Sequence, residues 1–206
     1  MVNIEPTNLI ITPPPATTRS GVRNPIVWLT YQFAPDWFKD ASEQAKIQLN
    51  HNARRREIVF SVCCAEAYLV EWVWNEVLKD DHSKFNTYFP PESKRSPEEK
   101  WKEVPKQLEE HGLICKSPDW GRAEGQTIWC EWKKLLSYRH GLVHARASRP
   151  ETHPQSDTER PVPSKHLLDE LDAGWATRTV VKLITYLHKA AGTQTPKWLI
   201  QPDSPS

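Results

Sequence analysis

Tyr138-Arg139-His140-Gly141-Leu142-Val143-His144 sets one arginine and two histidines on a single short stretch of chain. Histidine titrates near neutrality and can give or take a proton. Arginine stays charged, and its planar fork matches the oxygens of a phosphate. Together they suit proton transfer beside an anion. Local charge agrees: from Glu131 to Arg149, the cations Lys133, Lys134, Arg139, Arg146 and Arg149 face one acid, a balance of +4 that favours a polyanion. Arg54-Arg55-Arg56 could extend that track, although a solvated helix start explains the triplet as simply. His140 and His144 also have the i, i+4 spacing of a helical metal site. A third ligand would come from His51, His82, His111, His153, His166, His188 or a carboxylate, and no E-x-x-H pattern joins them. The residues are therefore read without a metal and without a cofactor.

The elements that must position these side chains can be read from proline. Of 18 prolines in 206 residues, six lie in 1–35, five between 90 and 118, four between 150 and 163 and three from 196 onward. Proline breaks helix interiors, so the proline-free windows 36–89, 119–149 and 164–195 predict helical blocks. Asp36 is the expected N-cap of a first helix over Trp37–Asn50, and a second runs from Ala53 to Lys79. Ser96-Pro97-Glu98-Glu99 predicts a third helix start, with proline first and acids in the first turn, a kink near Pro105 and an end at Gly112. A fourth spans Glu124–Ala147, and a fifth spans Ser164–Ala191, closed by Gly192. No window alternates like a strand. The expected fold is all-α, an up-and-down bundle of four or five helices over 36–192. An extended, flexible Pro-rich segment precedes it over 1–35, and a flexible tail follows over 193–206.

The net charge, +27 against −26, excludes a strongly basic coat protein and an acidic tail protein. No apolar run approaches a membrane span, and the first fifteen residues lack a basic region followed by an apolar stretch. Cys63, Cys64, Cys115 and Cys130 have no C-x-x-C spacing and read as reduced, buried thiols of a cytoplasmic protein. Trp72, Trp74, Trp129, Trp132 and Trp175 fall in helices where packing is the ordinary role. Trp28, Trp120 and Trp198 remain as free aromatic contacts.

Helical phase places two charges in apolar seams. With Ile128 at zero, Trp132, Leu135, Leu136, Leu142 and Val143 form one stripe, and Arg139 sits inside it at about 20°. His140 and His144 lie along its edge beside Lys133. With Val59 at zero, Val62, Cys63, Leu69, Val70, Val73 and Val77 form a second stripe, with Glu66 inside it at about 340°. An unpaired buried charge is costly, so Glu66 and Arg139 are expected to meet, directly or through a neighbouring polar group.

The R-x4-H spacing of Arg139 and His144, with polar His140 directly after the arginine, resembles the HEPN superfamily of helical bundles, many of them ribonucleases. The acidic segment Cys64-Ala65-Glu66-Ala67-Tyr68-Leu69 and the approach Leu135-Leu136-Ser137-Tyr138 extend the resemblance over roughly 50–190. It implies metal-independent RNA cleavage, in which the 2′-OH attacks and leaves a 2′,3′-cyclic phosphate and a 5′-hydroxyl. His144 would then move the proton, Arg139 would stabilise the phosphate and His140 would orient it or make a second proton contact. Glu66 would hold Arg139, while Lys133, Lys134, Arg146 and Arg149 would contact RNA. It further implies a homodimer with one composite cleft, small Gly141 letting a helix or substrate backbone approach, and a toxin or antiviral defence role with an antitoxin or defence-system partner. The family tyrosine two residues after the motif histidine, used in control by a nucleotidyltransferase, is here Arg146. A non-catalytic dimerisation or nucleic-acid-binding module of the same fold is the alternative.

Overall fold

The computed structural model describes residues 32–47, 50–79, 81–143, 168 and 171–200. Among them the chain is helical and contains no strand. Helix α1 spans Phe33–Lys46, α2 His51–Trp72, α3 Phe85–Tyr88, α4 Pro97–Glu110, α5 Ala123–Val143, α6 Trp175–Ala191 and α7 Lys197–Ile200. A π-helical turn, Val73–Val77, continues α2, and a 3-10 turn covers His82–Lys84.

Helix α1 begins three residues ahead of Asp36, inside the segment expected to be extended. Its first residues include Pro35, which a first turn tolerates because the amide there has no helical partner. Gln32 supplies no side-chain cap. Instead Glu71 of α2 accepts from the amides of Phe33 (2.6 Å) and Ala34 (3.2 Å). Asn50 caps α2 by accepting from Asn52 and Ala53. The expected start of α4 is present as a full capping box: Ser96 Oγ accepts from the Glu99 amide, and Glu99 accepts from the Ser96 amide at 2.6 Å. Helix α4 runs through Pro105 without a break and stops at Glu110. Gly112, at φ 69°, turns the chain left-handed, and the Leu113 amide reaches back to the Leu108 carbonyl at 2.9 Å, a Schellman closure.

The core is built around α2, which packs against α1, α5 and α6. Trp72, Trp101, Trp132, Leu69, Leu108, Leu135, Leu183, Ile184 and Leu187 are fully enclosed. The buried face of α2, however, is Ala53, Glu57, Ile58, Ser61, Val62, Cys64, Ala65, Tyr68, Leu69 and Trp72. That arc is rotated by roughly 130° from the valine stripe expected from sequence. Small residues explain the rotation: Ala34 and Ala41 of α1 and Ala53 and Ala65 of α2 are all buried, so the two helices approach closely along their alanines. Val59 and Val70 are left half-buried.

Two further expectations change. The expected helix is interrupted: α6 starts at Trp175 after the non-helical residues 171–174, while Leu168, inside the expected span, is helical. The segment after Gly192 is not merely a tail: α7 docks on the core through Leu199, while Trp198 stacks edge-on against Phe38 (5.4 Å) and Tyr68 (5.7 Å). Trp120, also expected free, lies against Trp129 (4.8 Å) and Tyr186 (5.5 Å). Residues 1–31, which include Trp28, and 201–206 lie outside the described residues. All four cysteines are free thiols, but Cys115 and Cys130 are exposed, against the expectation of burial, since both lie off the core-facing side of the chain. Among the described residues no helix is long and apolar enough to cross a membrane.

Candidate functional site

Helix α5 keeps the expected phase over its first three turns. Gly125, Ile128, Trp132 and Leu135 are buried, and Leu136 and Leu142 are half-buried. Gly125 has to be glycine, because a Cβ there would stand 2.1 Å from the Asp119 carbonyl oxygen. Tyr186 donates to that same carbonyl at 3.1 Å, tying α6 to the start of α5. Near the end of α5 the stripe fades. Gly141 is buried, while Val143, expected in the stripe, is 50% exposed.

Arg139 is half-buried, and its Nε is enclosed without a hydrogen-bond partner. Glu66 is half-buried as well, with Oε1 in the same condition. The two form no ion pair among the described residues, so the expected direct contact is absent. The rotation of α2 explains this, since it carries Glu66 to the rim of the buried arc. Both charges nevertheless act on one neighbouring group. The Cys63 thiol is pushed up first by burial and then by Glu66, while Arg139 pulls it down. Glu66, Cys63 and Arg139 thus share one neighbourhood without a bond between the two charges.

His140 is exposed on the next position of α5. His144, Arg146 and Arg149 lie outside the described residues. Lys133 and Lys134 are exposed and pair with no carboxylate among the described residues. The ammonium of Lys134 instead sits over two rings, 5.7 Å from the centre of Tyr138 and 5.6 Å from that of Trp175. Of the arginine triplet, Arg54 is not available to a polyanion, because it pairs internally with Glu57 at 3.1 Å. No group of three His, Cys, Asp or Glu side chains converges as a metal site among the described residues.

Sequence reasoning missed the acid that is fully buried. Glu57 is 1% exposed. Its carboxylate accepts from the amides of Ala176 (3.1 Å), Gly174 (3.4 Å) and Thr177 (3.4 Å), and from the Thr177 hydroxyl (3.4 Å). It therefore caps α6, whose own Gly174 has no side chain to do so, and its negative charge meets the positive end of the helix. The available signal was that gap: Ala173-Gly174-Trp175 opens a helix without Ser, Thr, Asp or Asn at the cap.

A second missed group closes the other end of α6. His188 is 1% exposed and bonds Tyr68 through Nε2 and the Thr193 hydroxyl through Nδ1, the latter at 2.6 Å. Burial lowers its pKa from 6.5 to about 4 and raises that of Tyr68. The ring is neutral at pH 7 and ties α2, α6 and the turn after α6 together.

Comparison with known proteins returns no matching family, no matching curated protein and no matching solved structure.

Proposed function

We propose that the protein is a metal-independent endoribonuclease of HEPN type, acting in the cytoplasm as a toxin or antiviral defence effector. The observation that carries this reading is Arg139. A half-buried guanidinium with an enclosed, unbonded Nε is costly for a free protein, and a phosphate offers the charge-assisted hydrogen bonds it lacks.

In this reading the RNA 2′-OH attacks phosphorus while His144 takes its proton. Arg139 neutralises the extra negative charge of the phosphorane, and the departing 5′-oxygen takes a proton from His140 or from water, leaving a 2′,3′-cyclic phosphate and a 5′-hydroxyl. His140 orients the phosphate or makes the second proton contact, and Glu66 shares the Cys63 neighbourhood with Arg139. Lys133, Lys134, Arg146 and Arg149 hold the strand. Two protomers complete the cleft across a two-fold axis, and Val143, half exposed beside the motif, supplies apolar surface for that contact. An antitoxin or defence-system protein would control the activity.

Labelled RNA incubated with purified protein, with and without excess EDTA, tests the reading. The expected product carries a cyclic phosphate in both conditions, and Arg139→Ala and His144→Ala each lower the rate by about two to three orders of magnitude while still folding. Full activity in either variant sinks the assignment. RNA retained without cleavage supports the second reading, a nucleic-acid-binding module, which the exposed Lys133 and Lys134, with no carboxylate partner among the described residues, also suit.

A further inference from the structure

Beside Arg139, on the other side of α5 from His140, two aromatic rings and a lysine form one surface. Lys134 and Tyr138 are one helical turn apart and share a face. Trp175, the first residue of α6, meets Tyr138 edge-on at 5.8 Å between ring centres, with an interplanar angle of 72°. Lys134 is exposed, whereas Tyr138 and Trp175 are each half-exposed. The position of Trp175 is fixed from behind, because Glu57 binds the amides of its neighbours Gly174 and Ala176. A ring held on a rigid helix start loses little freedom when something lies on it.

We propose that Tyr138, Trp175 and Lys134 form a base-stacking subsite for single-stranded RNA. This rests on the RNA reading above and adds to it which form of RNA is taken and where it is held. The chemistry is that of a nucleotide in two parts. An aromatic face accepts an unpaired base, and an exposed ammonium with no acid partner among the described residues accepts the adjoining phosphate. When a base covers the rings, Lys134 swings from them to the backbone. Tyr138 directly precedes Arg139 and lies about 100° from it around α5, so a strand anchored here bends round the helix to reach the arginine that would hold the scissile phosphate. A duplex cannot use the platform, because its bases are already stacked on one another.

The probe is a fluorescein-labelled, twelve-nucleotide 2′-O-methyl RNA of mixed sequence, which cannot be cleaved, titrated by anisotropy into the full-length protein. A blunt duplex of the same length serves for comparison. The wild type binds the single strand more tightly than the duplex. Trp175→Leu weakens single-strand binding about tenfold, and Lys134→Gln lowers the slope of log affinity against log salt by about 0.7. Lys134 is exposed, so its variant folds even if Trp175→Leu does not. Single-strand affinity and salt slope unchanged in both variants, with the wild type still binding, overturns the platform and leaves the RNA reading standing. Equal losses for duplex and single strand overturn the single-strand preference. A wild type that binds neither probe overturns both readings.

Discussion

Glu57 and Glu66 stand nine residues apart on α2 and meet opposite fates. Glu57 is enclosed, paired with Arg54, and accepts from a helix end more than a hundred residues along the chain. Glu66 is half-buried near Arg139, and each keeps an enclosed atom with no partner. Buried polar groups in a settled fold are bonded, so the first arrangement serves the fold. The second leaves electrostatic potential unspent at a surface, which is where a charged ligand can use it. A resemblance between short motifs points to Glu66; the density of bonds points to Glu57. The two acids answer different questions, one about folding and, under the proposed reading, one about function.

The largest effect that tests this contrast is removal of Glu57. Glu57→Ala leaves the Arg54 side chain, 11% exposed, without its carboxylate and strips the cap from α6. Losing one partner of a buried pair costs about 3–5 kcal/mol, to be read from chemical denaturation. A loss below 1 kcal/mol would mean that water replaces the carboxylate and that Glu57 is not a structural anchor.

His188 sharpens the same contrast through pH. Its pKa is about 4 in the fold against 6.5 in the unfolded chain, so the unfolded state binds the extra proton between those values. Stability from this group is therefore complete above pH 6.5 and is lost as pH falls toward 4. Between pH 7 and pH 5 the expected loss is about 2 kcal/mol, and His188→Gln removes that part of the slope. A variant with the wild-type slope would assign the pH dependence to other histidines.

These two anchors were poorly legible in the sequence, and the reason is physical. The start of α4 could be read because Ser96, Pro97 and Glu99 carry their own capping chemistry in adjacent positions. The first turns of α5 could be read because Ile128, Trp132 and Leu135 are large and apolar on one face. The phase of α2 could not, because its buried arc is written in Ala53, Ser61, Cys64 and Ala65, residues whose hydropathy is weaker than that of the valines outside it. Close helix approach decided the face, and close approach depends on α1. The caps of α1 and α6 come from Glu71 and Glu57, both on α2. Local capping chemistry is therefore absent at Gln32 and Gly174, and the sequence points instead to Asp36, inside the first turn of α1. Of the candidate site, Arg139 in the seam of α5 was legible from periodicity alone. The aromatic pair was not, since Tyr138 and Trp175 are joined only by the packing of α5 on α6.

The smallest expected effect is the one that separates the two acids most cleanly. If Glu66 and Arg139 were bonded in the seam, as helical phase predicts, Glu66→Ala would strand a buried cation at a cost of about 3–5 kcal/mol. The structure has no such bond, and Glu66 lies at the edge of the buried arc. Glu66→Ala is therefore expected to cost less than about 1 kcal/mol. A double-mutant cycle with Arg139→Ala should return a coupling in stability below about 0.5 kcal/mol, the scatter found for residues that do not touch. Under the proposed reading activity responds more than stability, because Glu66 shares the Cys63 neighbourhood with the guanidinium that would meet the phosphate. A stability coupling of 2 kcal/mol or more would restore the direct pair and move Glu66 into the class of Glu57. The fold would then be using both acids, and the reading of Arg139 as a charge kept for a ligand would fall.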